Sequence, residues 1–181
     1  MKFRNTRNEF GLISKLLHWL IAMAMISMIA MGWYMIGLDE ESVAYWRFFD
    51  LHVAIGTAMI IFFLLKIIWM AVSPSPGYVP GLKAWERFFA GGVHIFFIVA
   101  IGLIPVAGFL YVASEGEAIN IYDAIEIPDI GTLSKSVRDM LYDVHMYIAY
   151  CCAALIVVHI MAALKHHFVD LDDTFRRMTT K

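Results

Sequence analysis

The stretch Asp143–His167, DVHMYIAYCCAALIVVHIMAALKHH, decides how the chain is read. It is apolar over the length of a bilayer crossing, yet it holds His145 near its start and His159 deep inside. At 3.6 residues per turn, a step of fourteen residues returns both imidazoles to one face within about 40°, roughly 21 Å apart along the axis. Such a face offers one imidazole near each surface of a hydrocarbon layer about 30 Å thick. A neutral imidazole buried without a partner costs on the order of 2–7 kcal/mol. Both therefore call for partners on other segments.

The rest of the chain supplies those segments. Of its 181 residues, 61% are hydrophobic and 17% charged, with a mean hydropathy of +0.70. Soluble domains run nearer 45–50% apolar and about 25% charged. The excess lies in four runs, Leu16–Ile36, Leu51–Val72, Gly91–Ala113 and Val144–Leu164. Each is close to the roughly 20 residues a spanning helix needs. The first is too long for a signal-peptide core and lacks a convincing cleavage site. Ser73–Gly81, SPSPGYVPG, closes the second run, because proline cannot continue a helix. The expected fold is all-α, an integral membrane four-helix bundle forming a single domain over residues 1–181. Cys151 and Cys152 are adjacent and build no disulfide framework, zinc pattern or covalent haem attachment; they read as small buried packing residues.

Orientation follows from lysine and arginine. With both termini and the second connection placed in the cytoplasm, Lys2, Arg4, Arg7, Lys15, Lys66, Lys83, Arg87, Lys165, Arg176, Arg177 and Lys181 lie inside. Only Arg47, Lys135 and Arg138 lie outside, as the positive-inside rule requires. The outer connections are acidic, carrying Asp39, Glu40, Glu41, Asp50, Glu115, Glu117, Asp123, Glu126, Asp129, Asp139 and Asp143. Within the second of them, Thr132–Asp143 is expected to form an amphipathic turn or two over the bundle, capped by Thr132 or Ser134.

Histidine is rare within membrane spans and there marks function. Five of the seven fall in or at the edge of spans. By depth, His52 opposes His145 on the outer side, and His18 or His94 opposes His159 on the inner side. Neutral imidazoles so opposed suit bis-histidine ligation of haem iron between helices. His166 and His167 read as interfacial polar residues beside Lys165. Gly32 and Gly108 follow His18 and His94 by fourteen residues each, which puts them at outer depth, and Gly56 is one turn after His52. Missing side chains there leave room for a flat macrocycle, although small residues also serve helix packing. Gly102 and Pro105 are expected to kink the third helix. Lys66 is expected to snorkel to the cytoplasm rather than pair a haem propionate. Lys15, Trp19 and Trp69 lie at inner depth together with His94. No phosphate loop, H-E-x-x-H, buried carboxylate dyad or basic nucleic-acid stripe is present in the sequence.

With those residues in hand, the sequence resembles the bacterial cytochrome b561 family of small four-helix dihaem proteins. The resemblance rests on an ordered set of short motifs. They are Leu17-His18-Trp19, Leu51-His52-Val53, His94, Asp143-Val144-His145, Val158-His159, Lys165-His166-His167-Phe168 and Asp173-Thr174-Phe175-Arg176-Arg177-Met178. It covers nearly the whole chain and implies two haems b, with His18 and His159 ligating the inner iron and His52 and His145 the outer. It also implies a bacterial inner-membrane oxidoreductase passing electrons between a periplasmic donor and ubiquinone, superoxide being one donor proposed for the family. A quinone being reduced needs proton donors and an aromatic or apolar slot, and Lys15, Trp19, Trp69 and His94 are expected around it at inner depth. The acidic outer face departs from what an anionic substrate wants and favours a basic redox protein. A different class of role is a non-catalytic haem-b anchor relaying electrons for a dehydrogenase, as in the related membrane subunits of formate dehydrogenase and hydrogenase.

Overall fold

The computed structural model describes residues 2–179 apart from 115, 117, 122–124 and 128. Its elements in chain order are α1 (Leu12–Ile36), α2 (Val43–Val72), α3 (Ala84–Ala113), β1 (Ile119–Ile121), β2 (Ile125–Ile127), α4 (Lys135–Phe168) and α5 (Arg176–Thr179). Four of the helices are long and apolar enough to cross a membrane. Short connections make α1, α2 and α3 antiparallel neighbours, and α4 returns along α3 and closes more loosely on α1. One short antiparallel hairpin joins the helices, pairing Ile119 with Ile127 and Ile121 with Ile125. The end that carries both chain termini is called proximal below, the hairpin end distal.

Each helix runs further than its apolar run. The expected starts at Leu16, Leu51, Gly91 and Val144 move outward to Leu12, Val43, Ala84 and Lys135. Hydropathy marks only the part in hydrocarbon, whereas backbone hydrogen bonding carries the helix on through charged turns. The expected separate amphipathic segment over residues 132–143 is corrected in the same way. Ser134 is the cap position, but Lys135–Asp143 forms the first turns of α4 itself. Ser42 caps α2 by accepting from the Tyr45 N–H at 3.1 Å, and the Glu86 carboxylate accepts from the Lys83 N–H at 3.0 Å to start α3.

The core is narrow. Ile21, Met25, Met59, Ala100, Ile101, Ile104 and Cys152 form its main cluster, and Val53, Val112 and Ala113 a second one near the distal end. Cys152 is 1% exposed, but its neighbour Cys151 faces outward, which corrects the expectation that both are buried. Adjacent residues on a helix point about 100° apart, so only one of the two can face the bundle. Large apolar side chains such as Ile61, Ile68, Phe88 and Ile95 are exposed. In water that surface would be a liability; against lipid tails it is the solvent-matched face. Gly102 lets α3 approach α2, since a Cβ there would stand 2.8 Å from Phe63. The α3 helix runs through Pro105 without interruption.

Candidate functional site

The histidines gather at two levels inside the bundle. At the distal level, His52 on α2 faces His145 on α4 with ring centres 6.0 Å apart. Gly32 on α1 and Gly108 on α3 complete the same level. A Cβ on Gly32 would lie 3.6 Å from His52 Cε1, and one on Gly108 only 2.8 Å from His145 Nδ1. Two imidazoles and two glycines, one from each helix, thus share one layer. Gly56 looks toward Met28 at 3.6 Å. A cavity of about 430 Å³ opens here, lined by His52, His145 and all three glycines together with Met25, Tyr111 and Tyr150. That lies within the range of roughly 300–1,000 Å³ typical of ligand sites.

The His145 ring is held. Its Nδ1 lies 2.9 Å from the Ile104 carbonyl. A carbonyl can only accept, so Nδ1 carries the proton and Nε2 presents its lone pair. His52 Nδ1 is buried with no hydrogen-bond partner among the described residues. Such an orphaned atom is costly and signals a missing partner.

At the proximal level, His159 on α4 is approached by two imidazoles. His18 on α1 lies 6.3 Å away and His94 on α3 5.7 Å away, measured between ring centres. Phe97 packs edge-on against His159 at 5.5 Å. Phe97 was not singled out in the sequence, although it stands one turn after His94 on the same face. Two imidazoles sharing one metal at about 2 Å each have ring centres about 6 Å apart. Both levels match that spacing. Lys66 is half-buried and close enough to His18 and His94 to interact electrostatically with both.

The four residues expected around a quinone are spread over this end. Trp69 donates its indole N–H to Ser14 Oγ at 2.7 Å, and Trp19 donates to the Met178 carbonyl at 2.9 Å. Lys15 is buried on α1. His94 belongs to the imidazole cluster. His166 is not a loose interfacial residue: its Nδ1–H faces Asp172 Oδ2 at 2.8 Å and Asp170 Oδ2 at 3.0 Å. The chain turns back after α4 and brings those carboxylates under the helix end, which hydropathy alone does not show. Lys165 bridges Asp170 and Glu86 at 2.7 and 2.8 Å. His167 packs against Phe168 and Phe175.

A helical membrane bundle with opposed imidazoles in its interior has the architecture of a haem-b electron carrier. The model of the family described as prokaryotic cytochrome b561 matches residues 9–181. The chain is 30% identical to cytochrome b561 homolog 2 of Escherichia coli K12 over 181 residues, covering 100% of this chain and 96% of that protein. It is 24% identical to cytochrome b561 homolog 1 of the same organism over 175 residues, 94% of this chain and 97% of that one. A protein of Yersinia pestis named "Probable superoxide oxidase CybB" is 24% identical over 168 residues, 91% of this chain and 92% of that protein. The chain belongs to the prokaryotic cytochrome b561 family, a multi-pass bacterial membrane cytochrome that binds haem b. The residues present fit that group: an apolar slot, a glycine-cleared layer, an anchored imidazole and an orphaned one.

Proposed function

We propose that the chain carries two haems b, one between His18 and His159 and one between His52 and His145. They would pass electrons between a periplasmic donor and the ubiquinone pool, with both termini in the cytoplasm. The observation that carries this reading is the pair of opposed imidazole sets at the two ends of α4, with ring centres 6.3 and 6.0 Å apart. Bound haem supplies a one-electron ferrous–ferric couple. The chain's own residues do the rest. The Ile104 carbonyl fixes the tautomer of His145 and raises its basicity toward iron. Gly32, Gly56 and Gly108 keep the distal layer clear, and the lipid-facing apolar shell excludes water. At the proximal end, Trp19 and Trp69 commit their N–H groups within the protein. Of the four residues expected around a quinone, Lys15 and the His94 imidazole keep N–H groups to hand protons to it, and His94 is the one that sits in the imidazole cluster.

The name of the Yersinia relative makes superoxide a donor to consider. The distal surface argues for a cationic donor instead, since Asp39, Glu40, Glu41, Glu126, Asp129, Asp139 and Asp143 outnumber Arg47, Lys135 and Arg138. Lys135 is further tied to Asp139 at 2.6 Å. Arg138 is the local exception, standing 5.6 Å over the ring of Tyr111, which lines the distal cavity. The deciding experiment is haem reduction by superoxide and by a basic cytochrome at rising ionic strength. Screening should slow the basic partner and slightly speed superoxide, because steering changes association rates by factors of about 10–10³. A clear fall for superoxide would mean that a local positive mouth built from Arg47, Lys135 and Arg138 steers its approach. The same acidic face suits a second role, as anchor for a dehydrogenase with a basic docking surface. Co-purification in mild detergent separates a subunit from a stand-alone oxidoreductase.

A further inference from the structure

Lys15 is a charged residue only 5% exposed, and its Nζ has no hydrogen-bond partner among the described residues. Lysines near a membrane surface ordinarily extend their stems until the ammonium meets water. Here that route is closed. The segment before α1 folds back over the start of the helix. The Lys2 and Phe3 carbonyls accept from the Leu12 and Ile13 N–H groups, Asn5 Oδ1 accepts from the Gly11 N–H, and Asn5 Nδ2 donates to the Ser73 carbonyl. Ser14, the preceding residue, is buried and accepts from the Trp69 indole N–H. Three of the carboxylates at this end are engaged by other cations, Glu86 and Asp170 by Lys165 and Asp172 by His166.

A buried ammonium without a counter-ion is among the most costly arrangements a fold can hold, so the site implies an anion that enters it. Lys15 precedes His18 by three residues, which places it one turn nearer the proximal surface and about 60° round the same face. We propose that Lys15, enclosed one turn from His18, is the counter-charge of a propionate carboxylate on the proximal haem. The proposal rests on the dihaem reading above. It takes Lys15 out of the set expected around the quinone, whose neutral oxygens would leave the ammonium uncompensated. A lipid phosphate is the other anion at this depth, but Lys15 is only 5% exposed, which leaves a phosphate outside the chain little access to its ammonium.

A cation beside the haem favours the reduced form, which carries one positive charge fewer. Redox titration of the purified haem-loaded protein, followed in the visible absorption band, reads this directly. Lys15→Met should lower the midpoint of one haem by at least a tenfold change in its reduced-to-oxidised ratio, about 59 mV for one electron. Lys15→Arg should keep it near the parent value. Lys83→Met, at an exposed position on the same end, should change neither haem. In a His159→Ala background, where only the distal haem remains, adding Lys15→Met should shift nothing. If Lys15→Met loses a haem outright, Lys15→Arg must retain it. Unchanged midpoints in Lys15→Met, as a lipid phosphate partner would give, overturn the proposal. So does a shift of the haem that survives in His159→Ala, or failure of Lys15→Arg to retain what Lys15→Met loses. Parent protein holding fewer than two haems would instead refute the dihaem reading and remove the ground for this one.

Discussion

His145 reaches across to α3 and donates to the Ile104 carbonyl at 2.9 Å, through the space where Gly108 has no side chain. Ile104 and Gly108 are one helical turn apart, so the carbonyl that orients the imidazole and the gap that admits it lie on one strip of α3. Removing either the gap or the ring therefore acts on the same layer.

Gly108→Ala tests the gap. The new Cβ would stand 2.8 Å from His145 Nδ1, closer than real contacts allow, and a core forced to overpack loses about 1–3 kcal/mol. The haem-to-protein ratio should fall from two toward one. Gly32→Ala meets His52 at 3.6 Å, an ordinary contact, and should cost less haem than Gly108→Ala. Haem content by absorbance of the pyridine complex separates them; equal loss in the two variants would contradict the geometry.

The proximal cluster holds three imidazoles for two coordination positions. His159→Ala should remove the proximal haem, and His18→Ala should do the same. His94→Ala should retain both haems while slowing quinone reduction. Should His94→Ala lose a haem and His18→Ala keep both, the ligand pair would be His94 and His159.

Gly102→Ala probes helix packing away from the histidines. Three atoms of the Phe63 ring lie within 3.0 Å of the added Cβ, and Phe63 is itself packed against the core. A loss of about 1–3 kcal/mol is expected. It should appear as a lower thermal midpoint with haem spectra unchanged below the transition.

The C-terminal tail should let go in acid. Burial raises the Asp172 carboxyl, but hydrogen bonds from Thr174 and His166 outweigh it and hold its pKa below the ordinary 3.8. A depressed carboxyl contributes stability that is present above the ordinary value and lost as pH falls through the lowered one. Docking of the tail should therefore be flat from about pH 7 to pH 5 and weaken only below about pH 4. Trp19 reports it, because its indole is bonded to Met178. The difference in fluorescence between the parent and Trp19→Phe should follow that profile, and Asp172→Asn should give the acid signal at neutral pH.

The axial layout was legible in the sequence, because helical period converts spacing into depth. Fourteen-residue steps carry His18 to Gly32 and His94 to Gly108, and both glycines do lie against the histidines of the other level. Lateral position was not legible. His18 and His94 share a depth, and nothing in their spacing says that both touch His159. The burial of Lys15 and the partners of His166 depend on chain segments folding back over the helix ends. Those contacts arise between turns and loops, where no periodic pattern exists to read. The extension of α4 to Lys135 was hidden for the opposite reason: the pattern is helical, but its composition is that of a loop.

One imidazole of each opposed set sits on α4, the last long helix to leave the ribosome. On the proposed ligation, His18 and His52 have no opposite number until that segment enters the bundle, and neither iron position would be complete before then. Haem capture would thereby be tied to the insertion of α4. A nascent chain stalled after its third crossing would hold neither cofactor firmly.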